Sequence, residues 1–219
     1  MNFLKDVFLL YFERSDFFIE IFLEHVVLTT TAALIITVLG LTIGISMTRD
    51  KRFANIILAV TNFIYTIPSI ALFGFLVTLV GIGSKNAIIA LVVYGLLPII
   101  RNTYVGIMEV DEEIIESAIG MGSTKKQLLL KIQLPLALPV IFAGFRTMVI
   151  MTIALGAIAS FIGAGGLGVA IWRGITTYFP EMTMAGSLLV AGFAVLVDFI
   201  LGKIETSLRK RVLGKAKVS

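Results

Sequence analysis

The chain contains no cysteine, one histidine and one tryptophan in 219 residues. Without thiols there is no disulfide, thiolate nucleophile or cysteine-bound metal, and a single imidazole cannot build a multi-histidine zinc site. No metal site is therefore expected. Charge is scarce too. Asp, Glu, Lys and Arg make up 15% of the chain against 58% hydrophobic residues, and the mean hydropathy is +1.02, far from the balance of a soluble domain. A Gly/Ser-rich linker and a second compositional regime are also missing, so residues 1–219 read as one domain.

Long apolar runs fill most of the rest. Residues 25–47 carry no full charge between His25 and Arg49, and at 1.5 Å per residue they cross a ~30 Å hydrocarbon core. Residues 53–79 form a second run, interrupted by Pro68, whose missing N–H and ring clash predict a kink or break. Tyr65, Thr66 and Ser69 put polar groups beside that break, where freed carbonyls need partners. Residues 87–100 supply a third span, with Arg101 at its end. Residues 136–162 supply a fourth, apolar except for Arg146, and residues 184–201 a fifth, with Asp198 near its end. The expected fold is all-α, a polytopic membrane protein with five transmembrane helices.

The first twenty residues mix Lys5, Asp6, Glu13, Arg14, Asp16 and Glu20 with aromatics. They lack the apolar core and cleavage site of a signal peptide and read as an amphipathic segment, residues 1–20, at the lipid surface. Lysine and arginine choose the orientation. Arg49, Lys51, Arg52, Lys125, Lys126, Lys131, Lys203, Arg209, Lys210, Arg211, Lys215 and Lys217 fall on one side, and only Lys5, Arg14, Lys85 and Arg173 on the other. This predicts a bacterial plasma-membrane protein with its N-terminus outside and its C-terminus in the cytoplasm. The net charge of +4 then reflects topology and anionic lipid, with residues 203–219 a basic tail, rather than nucleic acid.

Between the third and fourth spans lies a polar interruption, residues 106–135. Val110, Ile114, Ile115, Ala118 and Ile119 recur at helical spacing, with Asp111, Glu112, Glu113 and Glu116 over much of the other surface. Gly120 and Gly122 should end that helix. Thr124 followed by Gln127 fits a capping box for a second one, and Pro135 and Pro139 mark entry into the fourth span. The expected unit is two short helices joined by a glycine turn, a knob suited to a cleft in a soluble partner.

The order Glu116, Ser117, Ala118, Gly122, Ile132, Leu134, Pro135 resembles the EAA loop of binding-protein-dependent ABC importer permeases, with Ser117 where alanine is usual. The likeness extends over nearly the whole chain, which is similar to the five-helix core of methionine-type permeases. The resemblance implies that this insertion is the cytoplasmic coupling loop, with Glu116 near the ATPase surface and Gly122 the turn that lets the coupling helix enter its groove. Residues 65–73, Tyr-Thr-Ile-Pro-Ser-Ile-Ala-Leu-Phe, together with 160–168, Ser-Phe-Ile-Gly-Ala-Gly-Gly-Leu-Gly, resemble osmoprotectant permeases importing glycine betaine, carnitine or choline. A methionine or other small amino acid importer is the alternative.

A permease needs two interconverting packings around a path rather than bond-making residues. Gly163, Gly165, Gly166 and Gly168 suit close helix approach or a tight external turn; with no Lys-Ser or Lys-Thr after them they do not form a phosphate loop. A quaternary ammonium is held by aromatic faces, so Tyr65, Phe73, Tyr94, Tyr104 and Trp172 are pathway candidates beside Pro68. Arg146, within a span, needs the interface, water or a carboxylate, with Asp198 in reach. No catalytic residue is expected. The resemblance implies no cofactor in this chain, ATP and Mg²⁺ being bound by a partner ATPase. It also implies two ATPase subunits, a second permease, expected to be a paralogue, and an extracytoplasmic solute-binding protein or lipoprotein.

Overall fold

The computed structural model describes residues 3–216; the outermost residues of the expected amphipathic segment and basic tail, 1–2 and 217–219, lie outside the described residues. The described chain is helical and irregular, without strands. Helix α1 covers Phe3–Glu13, α2 Ser15–Met47, α3 Lys51–Thr66, α4 Ser69–Val80 and α5 Ser84–Met108. Next come α6, Glu112–Gly120, the single turn α7, Lys125–Gln127, and a π-helical segment, Leu128–Gln133. Helix α8, Leu134–Ala159, leads through a 3-10 turn, Ser160–Ile162, to α9, Gly168–Thr176, and α10, Pro180–Ala216.

Packing between α2 and α5 fixes the number of crossings. A Cβ on Gly95 would overlap Ile36, one on Gly40 would overlap Ile99, and one on Gly44 would stand 2.6 Å from Thr103 Cβ. Both members of each pair rise together along the chain, so α2 and α5 run parallel at near-backbone contact, as small residues at four-residue spacing allow. The chain must therefore return across the membrane between them. Only α3 and α4 lie there, two helices bent by 97° at Thr66–Ser69. Helix α8 runs back against α5, with Gly144 on Asn102 and Gly106 on Val140, and α10 crosses last. Among the described residues this makes five crossings, four of them unbroken helical stretches and one elbowed.

The elbow forms where Pro68 forbids helix. Ile67, pushed out of the α region by the proline after it, is extended at φ −72° and ψ 126°, and Pro68 sits at φ −56°, ψ 133°. The freed Ile67 carbonyl accepts the Tyr94 hydroxyl of α5, which meets the demand the sequence imposed at that depth. The core beside it gathers Ile36, Phe73, Leu91, Ile99 and Met148 from α2, α4, α5 and α8.

Four expectations change in detail, the first being that α10, Pro180–Ala216, runs unbroken from the expected fifth span, 184–201, into the expected basic tail, 203–219. The third span is 25 residues, Ser84–Met108, rather than the short run 87–100, and it carries Arg101 and Pro98 within its helix. The 1–20 segment divides: α1 ends at Glu13, buries Val7 and Leu10 and packs on α10 through Tyr11, whose hydroxyl donates to the Ala185 carbonyl at 2.8 Å, while α2 begins at Ser15. The second helix of the polar insertion is not separate. Lys125–Ile162 is one continuous 38-residue helical stretch. Pro135 has no N–H to give and its ring crowds the carbonyl four residues back; the chain answers by widening into π winding, with Leu134 N–H on the Leu129 carbonyl, instead of stopping.

Candidate functional site

The polar insertion is built by its caps. The Asp111 carboxylate accepts the Glu113 N–H at 2.9 Å and starts α6, with Glu112 and Glu113 in the first turn, where the helix dipole favours acids. At the other end Gly122 takes φ +85°, a left-handed conformation natural to glycine. Ser123 N–H reaches the Ala118 carbonyl at 3.0 Å and Gly122 N–H the Ile119 carbonyl at 2.9 Å, the paired bonds of a Schellman ending. Two residues later the Thr124 hydroxyl accepts the Gln127 N–H at 3.3 Å and the Gln127 side chain accepts the Thr124 N–H at 2.9 Å. This is the reciprocal capping box that the sequence predicts.

This geometry turns α6 back onto the π-helical segment, with Ala118 buried. Glu116, Ser117 and Gly122 are exposed, Ile132 and Leu134 half-buried, and Pro135 exposed. Ile114, Ile119 and Met121 also face outward, Met121 at 80% exposure. An apolar ridge flanked by carboxylates is thus presented beyond the membrane-crossing body.

The pathway candidates do not all meet. Tyr65, at the elbow, is edge-on to Tyr94 with centroids 5.8 Å apart, and its hydroxyl lies 2.6 Å from the Met151 sulfur of α8. Pro68 is exposed beside them, while Phe73 is buried in the core. Tyr104 is half-buried against the cluster of Met47, Ala54 and Ile100. Trp172 is on α9, its ring tilted by 43° against Phe161 with centroids 4.7 Å apart.

The glycine stretch is a tight turn and a close contact at once. Gly163, Gly165 and Gly166 have φ of +76°, +79° and +82°. A Cβ at Gly168 would overlap the Ala157 carbonyl, and one at Gly165 would sit 2.5 Å from the Glu24 carboxylate. That carboxylate accepts the Gly166 N–H at 2.9 Å, so α2 holds the loop. Gly83 N–H donates to the Ile162 carbonyl at 2.8 Å, tying in the start of α5. Beneath the loop lies His25, fully buried, pressed on Gly156 and Gly166, with neither ring nitrogen hydrogen-bonded among the described residues. Sequence reasoning passed over Glu24, because a lone carboxylate at the head of a span has no spacing to mark it.

Arg146 finds its carboxylate. Its Nε and Nη2 bind Asp198 at 2.7 and 2.8 Å, a bidentate pair, and Nη1 binds Glu205 at 2.9 Å. Gly202 lies between these two acids on α10, and a Cβ there would stand 3.1 Å from the guanidinium carbon and both terminal nitrogens. The missing side chain lets the plane lie on the helix. Glu205 escaped notice because it falls in the basic tail. Among the described residues no three His, Asp or Glu side chains converge on a metal position.

Residues 26–210 match the family model described as the binding-protein-dependent transport system inner membrane component. The carnitine transport permease protein OpuCB of Listeria monocytogenes is 38% identical over 194 residues, 89% of this chain and 89% of that protein. The glycine betaine/carnitine/choline transport system permease protein OpuCD of Bacillus subtilis is 38% identical over 209 residues, 95% and 91% of the two chains. The ergothioneine transport permease/ergothioneine binding protein EgtU of Helicobacter pylori is 45% identical over 164 residues, 75% of this chain but 30% of that longer protein. Among solved structures, an inward-facing form of the MetNI methionine ABC transporter is similar with a TM-score of 0.78 and 25% identity, covering 88% of this chain and 96% of that one.

Proposed function

The chain belongs to the family of binding-protein-dependent transport system inner membrane components, and on that premise we propose that it forms half of the pathway of a type I ABC importer for a quaternary ammonium solute. The observation that carries the cargo is the agreement of relatives over nearly their full length, named for carnitine and for glycine betaine, carnitine and choline. Ergothioneine, named in the Helicobacter relative, is also a trimethylammonium betaine, so it falls within the same chemical class. The Tyr65–Tyr94 pair beside the Pro68 elbow supplies aromatic faces suited to such a cation. The MetNI likeness supports the architecture, and methionine is the competing cargo.

The chain supplies no bond-making chemistry. ATP and Mg²⁺ are held by two ATPase subunits, each receiving one permease insertion. Glu116 and the apolar ridge of α6 are the surface offered to the ATPase, with Ser117, Ala118, Gly122, Ile132, Leu134 and Pro135 shaping it. A second permease, a paralogue, completes the path, and a solute-binding protein or lipoprotein delivers cargo from outside. The coupling end lies in the cytoplasm with the C-terminus, as the lysine and arginine distribution favours. Closure of the ATPases then drives the alternation of access, and the glycine turn at 163–168 accommodates it at the outer end.

Uptake of labelled glycine betaine, carnitine, choline, ergothioneine and methionine into proteoliposomes holding the full complex, with and without ATP, tests the reading. ATP-dependent uptake of a quaternary ammonium solute is expected. Uptake of methionine alone would replace the cargo and keep the architecture. Glu116→Arg should insert normally yet lose ATP-dependent uptake; unchanged transport would remove Glu116 from the coupling surface.

A further inference from the structure

Helix α10, Pro180–Ala216, is 37 residues long, more than the ~20 residues a ~30 Å hydrocarbon core needs, and its C-terminal half carries a cleft with ordered chemistry. The cleft, of about 700 Å³, is walled along one face of α10 by Val195, Phe199, Lys203, Thr206, Ser207 and Lys210, with the Arg146 contact at its side. These positions recur at three- and four-residue spacing, so they form a single stripe. Its deep end is apolar and outward: Val195 is 68% and Phe199 59% exposed. Its shallow end is cationic and hydroxylic, with Lys203, Thr206, Ser207 and Lys210 all exposed.

The charges within the cleft are not equivalent. Arg146 is shared by the carboxylates of Asp198 and Glu205, a triad with one net negative charge that the two lysines of the cleft, Lys203 and Lys210, outweigh. Lys203 and Lys210 make no ion pair among the described residues; Lys203 Nζ lies 4.2 Å over the Phe199 ring. The two ammonium groups spring from positions roughly 10 Å apart along the axis at 1.5 Å per residue. Between them the Thr206 hydroxyl donates to the Gly202 carbonyl at 2.8 Å, which leaves the Ser207 hydroxyl as the donor facing the cleft. A tetrahedral anion seated there meets cations at both ends and a hydroxyl donor in the middle. Anything attached to that anion and continuing along the stripe toward Phe199 and Val195 must be apolar.

We propose that this stripe is a binding site for the headgroup of an anionic membrane phospholipid, its phosphodiester between Lys203 and Lys210 and an acyl chain along Phe199 and Val195. Charge complementarity and the apolar-to-cationic order along one helix select this occupant over a soluble anion, which has no use for the deep half. The bound lipid braces the C-terminal half of α10 beside the Arg146 contact. This site is independent of the cargo and of which solute-binding protein docks.

The test is native mass spectrometry of the purified full chain in detergent with phosphatidylglycerol or phosphatidylcholine added. One phosphatidylglycerol per chain is expected to survive activation that strips phosphatidylcholine. Lys203→Gln/Lys210→Gln should cut retention roughly thirtyfold, about fivefold per lysine for cations near a lipid anion. Lys125→Gln/Lys126→Gln should leave it unchanged. Phe199→Ala gives a second variant that keeps both charges and should weaken retention of long-chain more than short-chain phosphatidylglycerol. Equal retention of the two lipids, wild-type retention by the lysine variant, or displacement by millimolar inorganic phosphate would overturn the proposal. So would Ser207→Cys, the sole thiol of that variant, forming disulfide dimers in membranes, because a second copy would then cover the stripe.

Discussion

Gly122→Ala isolates a backbone conformation from everything around it. A Cβ at Gly122 meets nothing within 4 Å, so no side chain must move. The whole penalty is conformational: an alanine held at φ +85° costs about 1–2 kcal/mol. If docking on the ATPase needs α6 folded back onto the π-helical segment, that penalty weakens docking by up to roughly 5- to 30-fold. Gly120→Ala is the matched control. It also meets nothing within 4 Å, but it sits in the last turn of α6 with no positive φ, where alanine favours helix over glycine by up to about 1 kcal/mol. The two substitutions, two residues apart, should therefore move docking in opposite directions or leave Gly120→Ala neutral. Gly122→Asn should retain much of the affinity, since asparagine tolerates the left-handed region better. Biolayer interferometry of the ATPase subunit on permease-loaded nanodiscs reads all three. Wild-type docking by Gly122→Ala would refute the conformational argument; equal losses from Gly120→Ala and Gly122→Ala would assign both glycines to close contact with the partner instead.

Arg146→Gln leaves Asp198 and Glu205 without their cation and should loosen α10 from α8, seen as a lower melting temperature in detergent; adding Asp198→Asn and Glu205→Gln should recover part of it. Gly168→Ala, whose Cβ would overlap the Ala157 carbonyl, should abolish the monodisperse peak in fluorescence-detected size exclusion. Gly163→Ala, with open space around it, should cost only about 1–2 kcal/mol of local backbone energy and keep the peak. Thr124→Ala removes the capping box and should cost about 1 kcal/mol of local helix stability, read as faster amide exchange across residues 124–128. Cysteines placed at Gln127 and at Lys85 should label from opposite faces of the membrane, and labelling from one face would reverse the topology.

Features written in single residues were legible in the sequence. Pro68 announces the elbow because proline removes a donor wherever it stands, and Gly122 with Thr124 and Gln127 announces the α6–α7 turn because capping is local chemistry. The Arg146–Asp198 contact was one of the outcomes open to a guanidinium at that depth, which needs the interface, water or a carboxylate, and the structure gives the carboxylate. Gly40 and Gly44 were not singled out, because small residues at four-residue spacing acquire meaning only from the helix that packs on them, here α5. Tertiary partners were hidden. Nothing local distinguishes Glu24 from the other carboxylates near the start of α2, and His25 beside it becomes notable only when Gly156 and Gly166 close over it. The continuity of the second insertion helix with α8 was concealed by Pro135, which reads as a stop where the chain instead widens its winding.

That continuity changes what a push on the polar insertion can do. Lys125–Ile162 is a strut of about 55 Å at 1.5 Å per residue, footed beside α6 and ending at the glycine loop that Glu24 grips. Tilting such a strut by about 5° about its foot carries its far end roughly 5 Å sideways, well beyond what a 2.9 Å hydrogen bond survives. Between its foot and the 3-10 turn that ends it, Ser160–Ile162, the π-helical segment is where the winding departs from α. The stiffness of those six residues therefore sets how much of a displacement at the foot reaches the opposite face of the membrane, and how much is absorbed at the base.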